Sequence, residues 1–140
     1  MRIWALILII LILIPVISNG QDRRWLVNKD SLFTSISTEH FKLYSFEGHL
    51  GKKTKSDILN KREIAYKKIC DFFEIKTDLV INIFLFRNEQ VKYNLTGHKG
   101  LGWGFENNIV EVYNDSIRMD PYHELVHVLG YTLNEPPALI

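Results

Sequence analysis

Five residues near the C-terminal end, His123-Glu124-Leu125-Val126-His127, constrain this chain more than any other stretch. Residues four apart share a helix face, so the pattern H-E-x-x-H turns both imidazoles toward one point. A carboxylate stands beside them. This is the donor set with which a helix holds zinc: His123 and His127 as ligands, Glu124 as the base for water in the open coordination position. The flanks predict a helix. Asp120 suits the N-cap, Pro121 the first helical position, and Gly130 is placed to end it. Leu125, Val126, Val128 and Leu129 make the remaining faces apolar, which predicts a buried helix. Histidines and a glutamate buried there would need a partner, and a metal ion is one.

A catalytic zinc site of this type takes three protein ligands and water, and the motif supplies two. In the longer pattern H-E-x-x-H-x-x-G-x-x-H the glycine is matched by Gly130, but Leu133 stands where the third histidine belongs. In the thermolysin-like group the third ligand is a glutamate on a later helix. Glu135 is the one carboxylate after His127, and Pro136-Pro137 behind it forbid a helix there, which argues against it as a ligand. The run Asp120-Pro121-Tyr122-His123-Glu124-Leu125-Val126-His127-Val128-Leu129, followed by Asn134-Glu135-Pro136-Pro137-Ala138-Leu139-Ile140, resembles the bacterial peptidase-MA-like (gluzincin) metallopeptidases. More weakly, the resemblance extends back to about Thr38. In that family a proline-rich connection leads to a helix whose glutamate completes the zinc site, and a further Tyr or His downstream stabilises the oxyanion. The resemblance therefore implies that residues 38–140 are the N-terminal lobe of a zincin-like domain whose C-terminal part is missing. It also implies that extended substrate pairs with the strand before the zinc helix, residues 107–113, with Asn107, Ile109 and Glu111 at the substrate.

The other end of the chain carries a different signal. Arg2 precedes an aliphatic run to Ile14, then Pro15-Val16-Ile17 and the small-residue end Ser18-Asn19-Gly20. Positive start, apolar middle and small residues before a cleavage point predict a signal peptide over residues 1–20, and export. The run of about 15 residues is short of the roughly 20 needed to span a bilayer. The alternative is an uncleaved anchor through residues 3–17, which is the one way the chain would meet a membrane. Without residues 1–20 the chain carries sixteen basic and sixteen acidic residues, so no basic excess points to nucleic acid. The single cysteine, Cys70, leaves no internal disulfide and reads as a packing residue of a helix.

Between the two ends, 46% hydrophobic and 24% charged residues suit one small globular domain. Residues 21–37 have no clear period and read as a lead-in segment. Residues 41–46 read as a strand, and the lysine-rich loop after Gly48 as solvated. Gly51-Lys52-Lys53-Thr54 lacks the first glycine of a phosphate loop, since Phe46 stands there. Residues 56–75 predict a packing helix capped by Ser56, with Ile58, Ala65, Ile69 and Phe72 on one face and Phe73 beside them. Lys61, Arg62, Lys67 and Lys68 fall opposite. Residues 79–86 predict a central strand, 89–94 a helical turn before Gly97, and 109–113 a short strand. Gly97, Gly100, Gly102 and Gly104 alternate with His98, Leu101, Trp103 and Phe105. A glycine-punctuated turn and strand is preferred there to a mobile loop, with His98 a candidate substrate contact. Asn94-Leu95-Thr96 and Asn114-Asp115-Ser116 are formal glycosylation sequons.

These pieces predict an α+β domain: a small mixed sheet, a packing helix and a buried helix carrying the motif. The expected chemistry is zinc-dependent hydrolysis of a peptide or protein substrate, with Zn2+ as cofactor, although the fragment alone is expected to be inactive. The alternative is a non-catalytic exported binding module with a vestigial or partner-completed zinc site, since two histidines alone hold zinc weakly.

Overall fold

The computed structural model describes residues 23–133, so the signal peptide, the start of the lead-in segment and Glu135 lie outside the described residues. The domain is α+β. Five strands, β1 (Thr34–Ser37), β2 (Phe41–Ser45), β3 (Ile81–Phe86), β4 (Gly102–Phe105) and β5 (Asn108–Val112), form one mixed sheet in the order β1-β2-β3-β5-β4. The central pairs β2–β3 and β3–β5 are parallel, and the outer strands β1 and β4 run antiparallel to their neighbours. Four α-helices complete it: α1 (Lys29–Leu32), α2 (Lys52–Phe73), α3 (Glu89–Thr96) and α4 (His123–Leu133). Among the described residues no helix is long and apolar enough to cross a membrane.

Side-chain alternation along the strands gives the sheet two different faces. Phe41, Leu43, Ile81, Ile83, Leu85 and Ile109 point to one face and pack against Ile58, Leu59, Ala65 and Ile69 of α2 and Leu125, Val128 and Leu129 of α4. Tyr44, Phe84, Phe86, Phe105 and Val110 point to the other, where Trp25 and Phe33 cover them. Trp25 meets Phe84 edge to face at 4.7 Å, and Tyr44 stacks on Phe84 at the same separation. The lead-in segment is thus part of the fold, supplying β1 and two aromatic anchors.

Several boundaries differ from the sequence expectation. Helix α2 starts at Lys52, a turn before Ser56, and Gly51 stands at its N-cap. It ends where Glu74 turns left-handed, φ 55°, and Ile75 N–H bonds back to the Cys70 carbonyl, a Schellman stop with Ile75 packed on the core. Twenty-two helical residues run about 33 Å, longer than the five- and six-residue strands beneath them, so the last turn overhangs. Phe72 is accordingly 80% exposed rather than core. Arg62, expected in solvent, is buried. Helix α3 fits its signals: the Asn88 side chain accepts from Val91 N–H at 2.9 Å and Gly97 ends the helix at φ 69°. The turn-and-strand reading of residues 97–105 also holds, with β4 as the strand.

The edge assignment is corrected by the strand order. Strand β5 is internal, paired with β3 on one side and β4 on the other, so it has no free edge. Ile109 is core, and the Asn107 side chain donates to the Val80 carbonyl. Among the described residues the open edge next to α4 belongs to β4. Its bonded pairs follow from the hydrogen bond of Val112 N–H to the Leu101 carbonyl. By antiparallel alternation Trp103 and Phe105 also bond to β5, so the main-chain groups of Gly102 and Gly104 face outward.

Candidate metal centre

The motif lies where a helix begins. Asp120 Oδ1 accepts from Tyr122 N–H at 2.7 Å and from His123 N–H at 3.2 Å, so it caps the helix start as the sequence predicts, but Pro121 lies in the turn before α4 and not at its first position. The helix continues through Gly130 to Leu133, so Gly130 does not end it. Only one face of α4 is buried: Glu124, Leu125, Val128 and Leu129 lie against the sheet, while Val126 is exposed. The histidines sit on the open side. His123 is 64% exposed at its side chain and Glu124 8%. The expectation of a wholly buried helix therefore fails on its histidine face, and access for water follows from that.

His123, Glu124 and His127 each offer a donor atom, and those atoms lie within 4.8 Å of one another. The two imidazoles stand 5.3 Å apart, centre to centre, at 73°. Among the described residues this is the group of His, Cys, Asp and Glu side chains that could hold a metal ion. Two imidazole nitrogens and a carboxylate oxygen, open to solvent on one side, form a donor set that could take a metal ion.

Glu124 reaches its place because β4 has no side chain in the way. A Cβ at Gly102 would lie 2.7 Å from Glu124 Oε1 and 3.0 Å from the Met119 methyl. One at Gly104 would lie 3.1 Å from the Glu124 carbonyl oxygen. The glycine face of β4 is thus the seat of α4, and its Trp103 and Phe105 project from the opposite face. The alternation Gly102-Trp103-Gly104-Phe105 was the signal available in the sequence for this contact.

Two polar groupings near the site were not read from sequence. Arg62 of α2 donates to Glu111 Oε2 and, at 3.1 Å, to the Pro121 carbonyl. Glu111 is therefore a buried ion-pair member rather than a residue presented to substrate. Burial pushes its carboxyl above the ordinary range, and the Arg62 charge opposes that. The second grouping holds the turn before β4. The buried Lys92 ammonium donates to the His98 carbonyl at 2.9 Å and meets His98 Nδ1 at 3.0 Å. Burial lowers the pKa of both Lys92 and His98, and the Lys92 charge lowers that of His98 further. The His98 ring stacks on Trp103 at 4.6 Å. Cys70 lies part-buried against the core with its thiol pKa pushed up by burial, in keeping with a packing role.

No family model, no curated protein and no solved structure matches the chain.

Proposed function

We propose that the chain carries a zinc-dependent peptidase site, with His123 and His127 as zinc ligands and Glu124 as general base. The observation that carries this reading is the seating of the His123–Glu124–His127 group against β4, an edge that no strand among the described residues covers. An extended peptide can add to β4 as a further strand through the outward main-chain groups of Gly102 and Gly104. Its carbonyls then run past Glu124. Zinc bound by the two histidines would polarise the scissile carbonyl and make water a competent nucleophile at neutral pH. Glu124, hydrogen-bonding that water, takes its proton and returns it to the leaving amine. The buried, glycine-lined wall on one side of Glu124 and the solvent on the other leave its carboxylate a single direction of approach.

The second reading is a module that binds metal without hydrolysis, favoured by the presence of only two histidines in the cluster. Glu124→Gln separates the readings. The peptidase reading, unlike the expectation that the fragment alone is inactive, requires the native chain with zinc to cleave a quenched fluorescent peptide mixture and the variant to lose about 10²–10⁴-fold in turnover while zinc still binds. Undiminished cleavage by the variant removes Glu124 as the base. Zinc uptake with no cleavage by the native chain selects the binding module.

A further inference from the structure

A cavity of about 100 Å³ lies beside the carboxyl ends of β3 and β5, against α2, with Ile58, Leu85 and Met119 in its wall. Open α/β sheets commonly take ligands at that end of their strands. Two charged side chains of the lining are buried, Arg62 at 3% exposure and Glu111 at 1%. They are bonded to each other through Glu111 Oε2, whereas Oε1 of the same carboxylate is buried with no hydrogen-bond partner among the described residues. A buried acceptor without a donor is costly, so this oxygen asks for an N–H or O–H from whatever fills the cavity. Arg62 keeps N–H donors beyond those it gives to Glu111 and to the Pro121 carbonyl. Lys61 and Arg118 line the same cavity and are exposed. Among the described residues neither makes a hydrogen bond or an ion pair; Arg118 lies over the Tyr113 ring at 5.9 Å.

These groups restrict the chemistry of a guest. Three cations against one carboxylate leave two positive charges in the lining. A cationic guest would meet Lys61, Arg62 and Arg118, and a neutral one would leave the two charges unmatched. A fully deprotonated oxyanion would set its lone pairs against Glu111 Oε1. A dianion that still carries an O–H satisfies every group, and hydrogen phosphate is such an ion. A space of this size holds about three waters, enough for an ion as small as phosphate.

We propose that this cavity binds inorganic phosphate as hydrogen phosphate: Arg62, Lys61 and Arg118 hold its charged oxygens, and Glu111 Oε1 accepts its O–H. The site is independent of the metal centre and of the peptidase reading. Glu111 is its selective element, because a site built to hydrogen-bond a hydroxyl strongly rejects an analogue that lacks it. Sulfate has the shape and charge of hydrogen phosphate but no O–H. A phosphate monoester, with a second pKa of about 6, has lost its O–H by about pH 8, where inorganic phosphate keeps one.

The test is calorimetric titration of the full chain at about pH 8 with inorganic phosphate, sulfate and phosphoserine in turn. Metal is first removed on a chelating resin, so that no phosphate is counted on an ion at His123 and His127. The expected result is one phosphate per chain, with sulfate and phosphoserine bound at least about 100-fold more weakly. The double variant Lys61→Gln with Arg118→Gln changes exposed side chains, so it should keep the thermal midpoint while phosphate binding weakens at least about 10-fold. No phosphate uptake by the native chain overturns the proposal. Sulfate or phosphoserine held as tightly as phosphate removes Glu111 as the acceptor and overturns it as well. Undiminished phosphate affinity in the double variant puts the ion elsewhere, with the same consequence. Each of these outcomes leaves the metal-centre reading standing.

Discussion

The two faces of the sheet are built on different principles. On one, Trp25, Phe33, Tyr44, Phe84, Phe86 and Phe105 pack ring against ring, with Phe33 touching Tyr44, Phe46, Phe84 and Phe86. On the other, aliphatic side chains carry α2 and α4, and three charged groups, Arg62, Glu111 and Glu124, are buried among them. Aromatic packing supplies large buried area and fixed geometry. Buried charges are a poor source of stability unless every one is matched. Those three stand on the side of the sheet that carries His123 and His127, while the fourth buried charge, Lys92, is held by His98 beside Trp103. Strand β4 belongs to both: glycines toward α4, Trp103 and Phe105 toward the aromatic cluster.

Substitutions that strike one face should separate stability from chemistry. Phe84→Ala, at the centre of the aromatic cluster, should cost about 3–5 kcal/mol in urea unfolding while the zinc affinity of the folded fraction stays native. A parallel fall in zinc affinity would mean that the faces are not separable. Gly102→Val is the converse. Its branched Cβ must displace the Glu124 carboxylate, so peptide cleavage should fall on the order of 10²-fold with a much smaller loss of stability. Unchanged cleavage would remove the glycine seat from the mechanism. At the outer edge of the aliphatic face, Tyr66 gives a smaller, pH-dependent effect. Its hydroxyl donates to the Thr77 carbonyl, and burial, with the neighbouring Cys70, Glu63 and Asp78, pushes its pKa up to about 12 from the ordinary 10.0. The phenol ionises more readily in the unfolded chain, so its contribution is complete below pH 10 and fades as pH rises from there toward 12. Tyr66→Phe should flatten that part of the urea-midpoint profile, and an unchanged profile would deny the linkage. Smallest of all, Phe72→Ser on the overhanging last turn of α2 should shift stability by no more than about 0.5 kcal/mol. A larger loss would place that ring in the core.

What the sequence displays and what it hides follows from the range of each interaction. The His123–His127 helix, its Asp120 cap, the central strand β3 and the Gly97 stop are local patterns, and residues 81–86, 97 and 120–127 show them in a single pass. Arg62 shows the limit. It lies four residues after Ile58 and three before Ala65, on the apolar face by spacing, yet its charge suggested solvent. What buries it is Glu111, 49 residues away, and no local period can display that pairing. Strand order is equally non-local. Nothing in residues 107–113 says that β4 folds back to cover the edge of β5 and becomes the edge itself. Phe72 misled for a third reason, helix length against strand length, which depends on where both elements stop.

The most direct test of the central claim is zinc binding by the chain itself, measured by chelator competition beside a His123→Ala, His127→Ala double variant. The expected result is one zinc ion per native chain, with binding weakened at least about 100-fold in the double variant while the fold persists. Equal zinc affinity in the two proteins, or none in the native chain, would contradict a metal centre at His123, Glu124 and His127.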